Sequence, residues 1–250
     1  MLRTSERYYR TSARLADRAV GLARRAATPA AAALVVIQHQ ATEANEVSAA
    51  TSAMLAEQGL REPPMSPLIP LAFTTGAAEL AAMLDQIETD WAFTRLVSSL
   101  VQDAGRAAQL ADVATRPRVQ HVRHLNLPSC SRCAVLAGRV YRFSDGFQRH
   151  PGCDCVMIPT TVAAPDLTYD PVQMARDGQV TGLSKADLRA LGEGADFNQV
   201  VNVRAKKAGL RQSGEALTRA GRPTPAAIFR AAGDDRDAAL SLLSQHGYIR

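Results

Sequence analysis

Apolar residues recur at three- and four-residue steps through most of the first 115 positions, which is the period of an amphipathic helix. The first predicted helix covers residues 1–27, and its apolar stripe consists of Tyr8, Leu15, Ala19 and Leu22. A second stripe of the same helix carries Arg7, Arg10, Arg14 and Arg18. Such a basic face either docks on an acidic partner or nucleic acid, or is a solvated face of an ordinary helix.

Proline and capping residues divide the rest of this helical region. Thr28-Pro29 is typical of a helix start and predicts a second helix that ends near Gly59. Four prolines then interrupt the pattern and predict a rigid, extended linker at about residues 61–76. Helical periodicity resumes after Gly76 and continues to about Thr115, with Trp91 expected as an anchor of the core.

The pattern changes after Pro117. Residues 119–127 are predicted to be extended. A strand within 134–143, a turn at Asp145-Gly146 and a closing strand at 156–158 are predicted to form a hairpin. Beyond Pro159 the chain has several short helical patterns, and Ser184 is expected to be the N-cap residue of one of them. The expected fold is therefore mainly α with a small central β-hairpin module, an α+β class. Three regions are predicted: a helical N-terminal region at 1–115, a central module at 116–160, and a C-terminal arm of short helices at 161–250.

All four cysteines lie in the central module. Cys130 and Cys133 form a C-x-x-C pair, and His150 precedes a second pair, Cys153 and Cys155. Thiolates and imidazole at such spacings are typical ligands of a tetrahedral zinc ion. Five residues are candidates for four ligand positions. Cys130, Cys133 and Cys155 are expected to occupy three of them, and either His150 or Cys153 is expected to be the fourth ligand. We therefore predict one structural zinc that staples the hairpin.

Other chemistry of the cysteines is less compatible with the sequence. Disulfides suit secreted chains, whereas no signal peptide is expected at this N-terminus. A redox C-x-x-C normally begins a helix within a βαβ pattern, which the sequence does not suggest. A catalytic zinc would need a base from a motif such as H-E-x-x-H or H-x-E, and neither accompanies the cysteines. No catalytic residue is assigned, and the chain is not expected to be an enzyme.

The positive charge of the chain suggests a second hypothesis, which is binding to nucleic acid or to an acidic protein. The formal net charge is +5, with a pI near 9.3, and arginine supplies nearly all of the positive charge. Between residues 116 and 149 the only acid is Asp145, among arginines at 116, 118, 123, 132, 139, 142 and 149. Such a module could contact phosphates without reading base sequence, or pair with acids of a protein neighbour. No run of about 18 apolar residues is present, so no membrane association is expected.

The segments around the cysteines resemble the MuF-like minor head proteins of tailed phages, in the form found in phages and prophages of actinobacteria. The central motif is P-S-C-S-R-C-A-V-L-A-G at 128–138, followed by G-F-Q-R-H-P-G-C-D-C at 146–155. Further similar segments are G-L-S-K-A-D at 182–187, residues 194–202, and the ending at 224–229 and 246–249. The family pattern is H-P-x-C-R-C, so Asp154 replaces an arginine beside the predicted ligands.

The resemblance implies a virion component and minor capsid protein, made in the host cytoplasm. It would act in head morphogenesis, associate with the portal protein and other head proteins, and remain in the capsid interior near the portal vertex. It would assist assembly or DNA packaging and ejection. The alternative from the residues themselves is a zinc-stabilised module that binds nucleic acid without sequence specificity.

Overall fold

The computed structural model describes residues 2–146, 155–161, 169–203 and 222–249. It is 63% helix and 8% strand, which confirms the prediction of a mainly α chain with a small sheet. The chain divides into two units. Unit one contains the described residues of 1–124 and 138–167, and unit two contains those of 125–137 and 168–250. The predicted central module, 116–160, thus contributes residues to both units.

Four helices dominate unit one: α1 (Arg3–Arg24), α2 (Pro29–Glu57), α3 (Ala77–Asp85) and α4 (Asp90–Ala114). Local signals explain where two of them begin. The Thr28 hydroxyl accepts a hydrogen bond from the Ala31 amide at 3.1 Å, and proline occupies the first position of α2. Thr89 caps α4 in the same way, accepting from the Ala92 amide at 3.2 Å. The proline-rich segment between α2 and α3 contains one 3-10 turn, Pro70–Phe73.

Small side chains fill the centre of this bundle. Its main apolar cluster combines alanines of α1 and α2 with larger residues of α3 and α4: Ala16, Ala19, Ala23, Ala33, Val36, Leu80, Val97 and Val101. Alanine side chains are small, so they allow helix axes to approach closely. The predicted apolar stripe of α1 faces this core, with Ala19 fully buried and Leu15 packed against the cluster.

Trp91 does not anchor the core as the sequence suggested. Its side chain is 68% exposed in the first turn of α4, and the Arg95 guanidinium lies 4.9 Å from the ring centroid. The buried face of α4 begins one to two turns later, at Val97 and Val101. Trp91 lies outside that face because its position does not share the same helical stripe.

A three-stranded antiparallel sheet completes unit one. Its order is β3 (Val140–Tyr141), β1 (Gln120–His124) and β4 (Val156–Thr160). The expected hairpin paired residues 156–158 with the preceding strand, but in the structure β4 pairs with β1, with Val122 opposite Ile158. β3 pairs with the other edge of β1. A central position suits β1 because four of its five residues, 121–124, are buried.

The described part of unit two contains two short strands and six helices of six to ten residues. These are β2 (Ser129–Cys130), α5 (Ser131–Leu136), α6 (Pro171–Arg176), β5 (Val180–Thr181), α7 (Lys185–Gly192), α8 (Phe197–Asn202), α9 (Pro225–Ala232) and α10 (Arg236–Gln245). The predicted cap at Ser184 is confirmed, because Ser184 and Asp187 form a capping box at the start of α7.

Candidate metal centre

The C-x-x-C pair lies where β2 ends and α5 begins. Cys130 is the N-cap residue of α5, with extended backbone angles of φ −72° and ψ 151°. Its Sγ accepts a hydrogen bond from the Cys133 amide at 3.4 Å. Cys130 is half-buried and Cys133 is buried. The structure corrects one expectation here: the C-x-x-C pair does begin a helix directly after a strand, which is also the setting of redox motifs.

Strand β5 holds this turn in place. β2 and β5 pair in parallel, with Cys130 opposite Thr181, and the Ser129 amide donates to the Gln179 carbonyl at 2.9 Å. Gly182 follows with a φ of +81°, and a Cβ built there would lie 3.6 Å from Ser131 Oγ. The glycine thus permits a left-handed turn next to the cysteine loop. In the sequence, the only indication of this strand and turn is a glycine that follows two β-branched residues, Val180 and Thr181.

The other predicted ligands are distributed differently. Cys155 belongs to unit one, directly precedes β4, and has no exposed surface. His150 and Cys153 lie outside the described residues. Over the ranges that the structure describes, no three histidine, cysteine or acidic side chains form a metal-binding group. The turn brings Cys130 and Cys133 close together, and the zinc itself remains a prediction.

Several arginines of the predicted basic cluster are buried and do not contribute to a basic surface. Arg116 and Arg123 are 1% and 3% exposed, so their guanidinium groups cannot reach phosphates in solvent. Arg118 is exposed but lies 2.7 Å from a carboxylate oxygen of Glu62. Arg132, Arg139 and Arg142 are exposed, and Arg132 belongs to unit two while the other two belong to unit one. Arg149 lies outside the described residues.

A buried polar network around Arg116 was missed by the sequence interpretation. Arg116 donates from Nε to Asp112 Oδ2 at 2.8 Å, and also to the Glu62 carbonyl and to Ser52 Oγ. The only sequence signal was the four-residue spacing of Asp112 and Arg116, which brings opposite charges together on one helix face. That spacing is equally common on exposed helices, so it does not predict burial.

Two histidines of β1, His121 and His124, are buried. Burial, with a smaller effect of the nearby Arg123 charge, lowers the pKa of His121 to about 4. Burial also lowers the pKa of His124 to about 4. The His121 ring stacks on Tyr141 of β3, with centroids 5.6 Å apart. At neutral pH both rings are therefore uncharged and act as part of the sheet core.

Comparisons with protein-family models, with curated proteins and with solved structures found no match to this chain. Within the described ranges, no helix combines the length and apolar character needed to cross a bilayer. The family resemblance consequently depends on the chain's own motifs.

Proposed function

We propose that the protein is a structural minor capsid protein of a tailed phage, of the MuF-like type. It associates with the portal protein inside the head and assists assembly or DNA packaging and ejection. The chain is made in the host cytoplasm and becomes part of the virion. This role requires binding surfaces and a stable fold, and it requires no catalytic centre.

One observation supports the proposal most directly. The motif segments at 128–138, 182–187 and 194–202 are widely spaced in the sequence, yet each falls wholly or almost wholly in unit two. There β2 pairs with β5, and α5 packs against α8. The ending contributes too, because the Tyr248 hydroxyl donates to the Pro223 carbonyl at 2.9 Å and the Asp196 amide donates to the Tyr248 carbonyl at 2.7 Å. These segments therefore support one another within unit two, whereas Gly146 and Cys155 of the motif segment at 146–155 belong to unit one.

A structural zinc is part of the same proposal. Cys130, Cys133 and Cys155 are three of its ligands, and His150 or Cys153 is the fourth. The metal would supply folding free energy of about 10 kcal/mol to a small site of this kind. The capped turn at Cys130 supports this ligand assignment, since it orients the thiol through a backbone amide donor.

The test is co-expression of this chain with the portal protein of the same phage or prophage. We expect the two to co-elute on size exclusion, and we expect cryo-electron microscopy of procapsids to show the chain at the portal vertex. Co-expression with the major capsid protein alone is the control and should give no stable complex. Heads that assemble normally and lack this chain would contradict the proposal.

A second candidate function is a zinc-stabilised module that binds nucleic acid without sequence preference. The observation that favours it is the exposure of Arg132, Arg139 and Arg142. DNA binding that disappears when these three arginines are replaced, with no portal complex, would favour this alternative over the head protein.

A further inference from the structure

Helix α1 carries an arginine ridge, formed by Arg3, Arg7, Arg10, Arg14 and Arg18. All five side chains are exposed. Steps of three or four residues place them within about 80° of the helix circumference, at 100° per residue. The buried residues of the same segment, including Ser5, Ser12, Ala16 and Ala19, occupy the opposite side. The ridge is therefore the outward edge of unit one along the length of α1.

Most of this charge is not neutralised within the protein. Arg10 forms an ion pair with Glu6. Arg7, Arg14 and Arg18 have no ion-pair partner among the residues that the structure describes. Only two acids, Glu6 and Asp17, lie between Arg3 and Arg18. Five arginines and two carboxylates give this segment an excess of three positive charges, and Glu57 of α2, whose carboxylate accepts hydrogen bonds from the Arg3 and Thr4 amides at 2.8 Å, lowers the local excess to two.

We propose that the arginine ridge binds the phosphate backbone of double-stranded DNA. The ridge extends for about 22 Å at a rise of 1.5 Å per residue. B-DNA presents about one phosphate per 3.4 Å of axis on each strand, so several phosphates lie within reach of such a ridge. The contact reads no bases, because it is made by flexible cationic side chains on a convex surface.

The composition of the exposed face favours DNA over a protein partner. Between residues 3 and 18 Ala13 is the only exposed apolar residue, and Tyr8, Tyr9 and Leu15 are half-buried. The other exposed residues of this segment are polar or charged: Arg3, Glu6, Arg7, Arg10, Thr11, Arg14, Asp17 and Arg18. The buried centre of a protein interface is depleted in charge and enriched in apolar side chains. Interfaces with DNA are instead more polar and much more positively charged, and the ridge fits this second class.

Packing of α1 also argues against a lipid surface. A basic amphipathic helix binds membranes by burying its apolar face among acyl chains. In this protein that face is occupied: Ala16, Ala19 and Ala23 belong to the bundle core. The Tyr9 hydroxyl is likewise engaged, lying 2.5 Å from the Met157 carbonyl oxygen of β4. Only the arginine edge of α1 is available.

The experiment measures binding of the full chain to two 30-base-pair duplexes of unrelated sequence, by fluorescence anisotropy from 50 to 250 mM salt. The test variant is Arg7→Gln/Arg14→Gln/Arg18→Gln. We expect its affinity at low salt to fall at least about tenfold, and its slope of log K against log salt to fall by about 2 to 3, since three phosphate contacts are lost. Both duplexes should bind equally.

Two further variants make the test specific. Arg61→Gln/Arg176→Gln/Arg230→Gln removes the same charge from exposed arginines elsewhere and should change affinity by less than about threefold. Arg7→Lys/Arg14→Lys/Arg18→Lys keeps the charge and should retain most of the affinity. Equal losses in the ridge variant and the control would overturn the proposal, as would a wild-type chain that does not bind DNA. Ridge-dependent binding to anionic vesicles, with unchanged DNA binding, would also overturn it.

This inference goes beyond the proposed role in the head and can fail separately from it. DNA binding is measured on the isolated chain, whereas the head role is measured by association with portal protein. A ridge variant that loses DNA binding and still joins the portal would support both statements.

Discussion

The guanidinium of Arg116 and the carboxylate of Asp112 form an ion pair 2.8 Å long, and neither side chain has exposed surface. Arg116 also donates to the Glu62 carbonyl and, at 3.0 Å, to Ser52 Oγ. One side chain thus connects the end of α4 to α2 and to the proline-rich segment. Burial of the charge is tolerated because the guanidinium has both a carboxylate and neutral oxygen acceptors.

Removing one partner of this pair should be strongly destabilising. Asp112→Ala leaves Arg116 buried and unpaired, which we expect to lower the free energy of unfolding by about 3–5 kcal/mol. Urea denaturation followed by circular dichroism measures the change. The matched control is Glu6→Gln, which breaks the exposed ion pair with Arg10 and should cost less than about 1 kcal/mol. Similar small losses for both variants would contradict the assigned role of Asp112.

Gly105 of α4 is expected to resist substitution because α2 lies close to its backbone. A Cβ at this position would lie 2.6 Å from the Cγ of Glu43, whose side chain is itself buried. We predict that Gly105→Ala lowers the free energy of unfolding by about 1–3 kcal/mol through overpacking. The midpoint of thermal or urea unfolding gives the measurement.

The control is Gly21→Ala in α1, where the nearest atom to the added Cβ is a guanidinium nitrogen of Arg25 at 3.7 Å. This substitution should stabilise the protein by about 0.5–1 kcal/mol, because alanine has the higher helix propensity. If Gly105→Ala were stabilising by the same amount, the close packing of α2 and α4 at this point would be wrong.

His121 should make the fold sensitive to mild acid. Burial holds its pKa at about 4, below the ordinary 6.5. As pH falls from 6.5 to 4, the unfolded chain gains a proton that the folded chain does not accept. Stability is therefore full above pH 6.5 and is lost over this window, by about 3 kcal/mol for this one group.

His121→Phe removes the titration and keeps an aromatic ring opposite Tyr141. We expect the variant to lose less stability than the wild type between pH 6.5 and 4, as measured by urea unfolding at several pH values. The pKa of His124 is also lowered to about 4, and it titrates in both proteins, so the difference between them isolates His121. Identical pH profiles would show that position 121 does not resist protonation.

Elemental analysis of protein purified without added metal should find about one zinc per chain. Cys130→Ser is the informative variant, since serine is a good N-cap residue and can keep the start of α5 intact. We expect this variant to lose zinc and to become sensitive to proteolysis between residues 128 and 159, because metal binding and folding are coupled. Ser131→Ala is the control and should retain the metal.

A metal-free wild-type chain with free thiols and a protease-resistant module would contradict the zinc proposal. A Cys130–Cys133 disulfide in the purified protein would instead support the oxidised alternative. Thiol titration before and after reduction distinguishes these two outcomes.

Much of the helical architecture could be predicted from the sequence, because its signals are local. Threonine at 28 and 89, proline at 29 and serine at 184 mark helix starts through hydrogen bonds or backbone geometry within one turn. The apolar stripe of α1 follows from a period of 3.6 residues, and the structure places that stripe on the bundle core. The C-x-x-C spacing predicts a zinc-binding turn but does not predict α5, whose N-cap residue is Cys130.

Strand pairing and the fate of individual polar side chains were decided only by the tertiary structure. The sequence suggested a local hairpin closed by residues 156–158, whereas β4 pairs with β1. Arg116 appeared as part of a basic surface, yet it is enclosed by α2 and the segment at Glu62, which lies 54 positions earlier. The Tyr9 hydroxyl meets the Met157 carbonyl across 148 positions. Periodicity and capping reflect interactions within about one helical turn, so they can be recognised in the sequence. The contacts of Arg116, Tyr9 and β4 involve segments that are distant in the sequence and are brought together only by the assembled fold.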